Sequence, residues 1–174
     1  MEFTIRPALL EDAASIAHVH VESWKSTYMG IVPEGYLASL KLEDRVRLWQ
    51  GALGKGDATV FVAEDEAGFC GFAAGGGLRE PIEGYDAELY AIYLLRDRQL
   101  RGIGRDLVRN LVASLVSEGR TSMIVWVLQQ NPAVSFYRRL GGTEVGKKGI
   151  EIGGAQLEEL CFGWVTLETL NAAK

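Results

Sequence analysis

Side chains that hold metals or form cross-links are scarce here: 174 residues contain two cysteines and two histidines. Cys70 and Cys161 sit in the apolar segments FCGF and LCFGW, where a small hydrophobe is the ordinary use of cysteine in a reducing compartment. His18 and His20 lack metal-type spacing, so no zinc cage, no metal and no disulfide are expected, and both histidines read as packing or surface residues. Long apolar runs are missing too. Nothing approaches the roughly 20 residues that span a bilayer, and the start, MEFTIRPALLEDA, lacks the basic-then-apolar design of a secretory leader. The expectation is a soluble cytoplasmic protein with no membrane partner. Positive charge is also short: 18 Lys and Arg against 23 Asp and Glu leave −5, which argues against a nucleic-acid surface and mildly favours small cationic partners. Repeats, low-complexity tracts and composition breaks are absent, so residues 1–174 are expected to form one domain, with 166–174 a short tail and NAAK frayed.

What is present is a regular alternation of strand and helix signals. Phe3 to Arg6 reads as a strand, and Leu10 to Tyr28 carries Ile16, Val19 and Trp24 at helical spacing before Gly30. Pro33 to Leu40 and Asp44 to Leu53 read as two further helical stretches, the latter ending in GKGD. TVFVAE (59–64) and FCGFAAG (69–75) flank the turn-like DEAG and predict an antiparallel hairpin. ELYAIYLL (88–95) predicts a strand, and from Ile103 the residues Leu107, Val108, Leu111, Val112, Leu115 and Val116 predict a helix with one buried face. SMIVWVL (122–128) is too uniformly apolar for an edge strand; Trp49, Trp126 and Trp164 read as core. A helix over Pro132 to Leu140 and two closing strands, 143–152 and 156–165, complete an α/β domain with a mixed central sheet. Strands 88–95 and 122–128, joined by a right-handed crossover, should lie parallel.

Between strand 88–95 and its following helix stands RDRQLRGIGR. A helix N-terminus leaves N–H groups unpaired and carries the positive end of the dipole, so it favours an anion. Gly102 and Gly104 lack a Cβ and let a pyrophosphate approach the main chain, while Arg98, Arg101 and Arg105 add charge around the turn. The dinucleotide fingerprint fails at Leu107 and the nucleoside triphosphate loop fails for want of Gly-Lys-Ser/Thr. The alternative is that the glycines only permit a tight turn into the helix.

QLRGIG, Gln99 to Gly104, placed directly after a strand, resembles the Q/R-x-x-G-x-G/A signature of the GNAT superfamily of acyl-CoA-dependent N-acetyltransferases, and the likeness in element order covers nearly the whole chain. The resemblance implies the GNAT fold: about seven strands with helices on both faces, in the order strand, two helices, three strands, helix, strand, helix and two closing strands. It implies acetyl-CoA as cosubstrate, without a metal. Main-chain N–H groups of Leu100, Arg101, Gly102, Ile103, Gly104 and Arg105 would hold the CoA pyrophosphate, Gln99 of the same motif belongs to the cofactor-binding set, and Ile92, Tyr93 and Leu94 would pair with the pantetheine arm. The same likeness brings Asn131 to CoA, although the family asparagine stands seven residues before the tyrosine of FYRRLGG and Asn131 stands six; Gln130 fills the seventh place, and Asn131 before Pro132 also suits a helix cap.

Acetyl transfer needs a deprotonated amine, and an alkylammonium has a pKa near ~10. Glu88 matches the position of the base in histone-acetylating members of the superfamily; a solvated strand-end carboxylate is the alternative. At ~3.3 Å per residue it lies on the order of 13 Å from Ile92, which favours a water relay. Tyr137 is the candidate acid for the departing thiolate, with packing beside Phe136 as the alternative. The resemblance also implies an oxyanion donor on a bulged strand, nearest Tyr93 or Leu94. Trp24, Tyr28 and Tyr90 are candidates to line the acceptor site. The expected activity is direct transfer of acetyl to a primary amine of a small molecule or peptide; a non-catalytic acyl-CoA sensor and a plain interaction module are the alternatives. The segment GIEIGGAQLEELCFGW suits a homodimer contact or internal sheet equally.

Overall fold

The computed structural model describes residues 2–172. Seven strands form one sheet: β1 (Phe3–Pro7), β2 (Thr59–Asp65), β3 (Gly68–Gly77), β4 (Ala87–Leu94), β5 (Met123–Leu128), β6 (Thr143–Ile152) and β7 (Ala155–Trp164). Their spatial order is β1-β2-β3-β4-β5-β7-β6, with β4 and β5 parallel and every other neighbouring pair antiparallel. Six α-helices accompany them: α1 (Ala13–Thr27), α2 (Glu34–Ser39), α3 (Leu42–Lys55), α4 (Ile103–Ser117), α5 (Ala133–Arg139) and α6 (Glu168–Ala172). Three helices therefore precede β2, one more than the family order implies. None of the described helices is long and apolar enough to cross a membrane.

Strand alternation divides the apolar residues between the two faces of the sheet. Ala63, Ala73, Ile92 and Leu94 point with Leu107, Val108, Leu111 and Leu115 of α4 into one core. Val62, Phe72, Ala74, Ala91 and Tyr93 point the other way, against Ile16, Val19 and Trp49 of α1 and α3. Val116, counted with the buried face of α4, is 38% exposed instead, because that face closes at Leu115. The expected tail is also corrected. Leu167 and Leu170 are buried in the α4 core, the Leu167 N–H donates to the Thr121 carbonyl, and α6 is packed rather than loose. Of the segment read as frayed, residues 173 and 174 lie outside the described residues.

One local feature of the sheet decides where a site can form. The parallel pairing of β4 with β5 spans only Ala87 to Leu89 against Met123 to Val125, after which the two strands diverge. β3 and β4 stay paired up to Leu94, so the divergence opens a fork beside the second half of β4. The fork joins the two faces of the sheet.

Candidate active site

A cavity of about 440 Å³ occupies the fork. Its walls come from β4 (Glu88 and Tyr90 to Leu94), β5 (Val125 to Leu128), α1, α5 and the β6–β7 hairpin. The β3–β4 register shifts between Ala74 and Gly75, so that Ala74 faces Ala91, Gly75 faces Leu89, and Tyr90 is the extra residue. The bulge thus falls at Tyr90 and not at Tyr93 or Leu94, and the Tyr90 hydroxyl is anchored on the Gly77 carbonyl. At the far end of the strand, the Leu94 carbonyl accepts from Ser23 Oγ at 3.1 Å and from the Gln99 amide at 3.2 Å. Gln99 therefore ties the glycine loop to the strand it follows.

That loop is built on left-handed backbone. Leu100 has φ 61 and is 98% exposed, and Gly102, the residue before α4, has φ 85, a conformation in which a Cβ is strained. Gly104 serves packing: a Cβ there would stand 3.4 Å from Leu94 Cδ1 and 3.5 Å from the Phe136 ring. Ile103 sends its side chain into the core, leaving the main chain of the turn outward. Because the first N–H groups of a helix have no intrahelical acceptor, the 15-residue helix α4 presents free donors at this turn. Arg98 departs from the expected cluster. Its guanidinium pairs with Asp65 at 2.7 Å in the β2–β3 turn, so it braces the loop from behind.

On the α5 side of the fork, Tyr137 is 5% exposed, and burial pushes its phenol well above the usual range. Its hydroxyl makes no hydrogen bond among the described residues, and it lines the cavity. Asn131 is buried and does two things: its Oδ1 accepts from the Ala133 N–H at 2.8 Å, capping α5, and its amide donates to the Tyr28 hydroxyl at 3.0 Å. Gln130 is exposed and faces away, so Asn131 is the residue presented to the cavity. Trp24 Nε1 donates to the Tyr93 hydroxyl at 2.9 Å, and His20 stacks on Tyr93 with ring centroids 5.2 Å apart. His20 is thus a packing residue that also accepts from Trp49 Nε1 at 3.1 Å, while His18 is exposed.

On the opposite side stand the charges. Glu88 is 2% exposed and held by Arg79, whose backbone N–H donates to Oε2 at 3.0 Å and whose guanidinium donates to Oε1. Arg79 in turn lies over the Tyr90 ring at 5.1 Å. Lys148 of β6 lies 4.3 Å from the Trp126 ring centroid and pairs with Glu80 at 3.4 Å. Trp126, read as core, is partly exposed on the cavity wall, because alternation along β5 turns it away from the face that buries Val125 and Val127. Trp24, Tyr28 and Tyr90 all line the cavity.

The chain as a whole is matched by known proteins. The family model described as FR47-like protein matches residues 68–149, from β3 through the glycine loop into β6. The Bacillus subtilis (strain 168) protein named "Uncharacterized N-acetyltransferase YuaI" is 45% identical over 169 residues, covering 97% of this chain and 96% of that one. The chain belongs to the GNAT superfamily of N-acetyltransferases. Two solved GNAT-type structures resemble it throughout. The PaiA N-acetyltransferase of Thermoplasma acidophilum, in complex with coenzyme A, is 25% identical with TM-score 0.67, covering 92% of this chain and 98% of its own. The acetyltransferase YncA of Salmonella typhimurium, with its cofactor acetyl-CoA, is 21% identical with TM-score 0.71, covering 96% and 95%.

Within this GNAT chain, sequence reasoning missed Arg79, Lys148, Trp126 and Glu159 as parts of the site. Arg79 lies in the loop between β3 and β4, Trp126 lies on β5 beyond the point where it leaves β4, and Lys148 and Glu159 lie on strands that reach the cavity only through the β5-β7-β6 order. A signal did exist for Lys148 and Glu159: charged residues interrupt otherwise apolar alternation in both closing strands.

Proposed function

We propose that the protein transfers an acetyl group from acetyl-CoA to a primary amine by direct attack. The observation that carries this reading is the fork between β4 and β5, whose β4 wall runs from a charged, aromatic chamber at Glu88 and Tyr90 to Leu94, the residue whose carbonyl Gln99 of the glycine loop holds. The residues fit CoA. Gly102 holds the turn that points main-chain donors outward, Gly104 packs Phe136 and Leu94 tightly beneath it, and the unpaired edge of β4 near Ile92 and Tyr93 offers backbone groups to an extended arm. Bound there, acetyl-CoA supplies an activated thioester.

The chain's own residues then handle protons. Tyr137 offers a phenol that burial keeps protonated, and an unshared hydroxyl proton on the α5 side suits a departing thiolate. Glu88, fixed by Arg79, keeps its place beside the fork and accepts the amine's proton through water at Oε2, which takes a single hydrogen bond from the Arg79 N–H and keeps a lone pair free, whereas the guanidinium engages Oε1. A covalent enzyme intermediate has no support. Cys70 and Cys161 are buried, and burial, with the Glu88 charge adding, pushes the Cys161 thiol up to about 11. Release of free thiol from acetyl-CoA in the presence of a primary amine, followed by mass spectrometry of the acetylated amine, tests the proposal; CoA binding without amine acetylation would favour a sensor.

A further inference from the structure

Among the described residues five charged side chains line the cavity, and four of them are already matched: Arg79 with Glu88, and Lys148 with Glu80. Each of the two cations also rests on an aromatic face, Arg79 on Tyr90 and Lys148 on Trp126. Glu159 is the fifth. It stands on β7, opposite Leu128 of β5 and Lys148 of β6, half-buried and without a hydrogen bond or ion pair among the described residues. The chamber therefore carries one uncompensated negative charge, and its place is known. Burial raises the Glu159 carboxyl; Lys148 and Arg79 oppose that rise, while Glu88 and Glu80 add to it. A half-buried carboxylate in this setting gains most from a cation that comes in with the ligand.

We propose that Glu159 docks the ammonium of the acceptor and that the acceptors are primary amines on apolar chains with no carboxylate beside the amine. This rests on the acetyl-transfer reading above and names the substrate class of the same site. An amino acid would bring a carboxylate needing its own cation, and both cations of the chamber are committed. Hydrocarbon, by contrast, is well received. Trp24, Leu128, Ile150 and Ile152 supply apolar wall around the charge. Glu159 is thus a binding residue for the acceptor, distinct from Glu88 at the fork.

The test compares phenethylamine with phenylalanine, which differ only by the carboxylate, using thiol release from acetyl-CoA by the wild type, Glu159→Gln and Glu159→Asp. The wild type should favour phenethylamine by about tenfold or more in kcat/KM, the size expected for one unpaired charge. Glu159→Gln should raise the KM for phenethylamine about tenfold with the KM for acetyl-CoA and the melting temperature unchanged, and Glu159→Asp should recover part of the loss. Release with phenylalanine equal to or above that with phenethylamine, or an unchanged amine KM in Glu159→Gln, overturns the inference and leaves acetyl transfer standing. No release with either amine or with a lysine-containing peptide overturns acetyl transfer itself.

Discussion

Arg79 donates to both carboxylate oxygens of Glu88, one through its backbone N–H at 3.0 Å and the other through its guanidinium. The pair spans the loop before β4 and the first residues of that strand, so it fixes a charge where β4 and β5 part. Arg79 is 59% exposed while Glu88 is 2% exposed, so solvent moderates the pair from one side only.

Removing the Arg79 guanidinium leaves the Glu88 carboxylate buried without its counter-charge and held only by the residue-79 backbone N–H. Arg79→Met should destabilise the protein by about 1–2 kcal/mol, the buried-pair cost discounted for the exposed partner, and should also lower turnover. Adding Glu88→Gln should return most of the stability without returning turnover, because the uncompensated charge is gone but so is the proposed base. Urea denaturation and thiol-release kinetics on the two single variants and the double variant check both halves.

Tyr137→Phe should fold as well as the wild type, since the hydroxyl holds no hydrogen bond among the described residues, and should lose roughly 100-fold or more in turnover. Because burial keeps the phenol protonated, the rate should show no alkaline limb from this group up to about pH 10, its ordinary value. CoA affinity should be retained in the variant. Full turnover in Tyr137→Phe would remove the tyrosine from the chemistry.

His20 is held at about 4 instead of the usual 6.5, chiefly by burial, with the Arg45 charge adding. Between those two values the unfolded chain binds more protons than the folded one, so stability is complete above about 6.5 and is lost as pH falls through 4. Integrated, the loss between pH 7 and pH 5 is about 2 kcal/mol. His20→Gln, which keeps an acceptor for Trp49 Nε1, should flatten that part of the profile. Urea midpoints of both proteins at the two pH values provide the comparison.

Much of this architecture was legible in the sequence because it is written locally. The three-and-four spacing of Leu107, Leu111 and Leu115 places α4, and Gly68 and Gly153 mark the hairpin turns that set β2 against β3 and β6 against β7. The glycine turn was legible for the same reason, since φ 85 at Gly102 is a property of one residue. What the sequence hid depends on contacts far along the chain. Arg98 looked like part of a phosphate clamp until Asp65, 33 residues earlier, claimed it. Trp126 looked like core because its neighbours in β5 are core, and only the divergence from β4 exposes its face. Leu167 and Leu170 looked like tail because two apolar residues near a chain end carry no periodicity, yet they close the α4 core. The bulge at Tyr90 arises from register with β3 and has no sequence mark of its own.

Titration calorimetry of CoA into the wild type and into Gly102→Val addresses the central claim most directly. A β-branched residue at φ 85 is strained, by about 1–2 kcal/mol, and must rearrange the turn that presents the main-chain donors. The account predicts one CoA site per chain in the wild type and loss of most of that affinity in a folded Gly102→Val. An absence of binding heat in the wild type, or undiminished affinity in the variant, would contradict it.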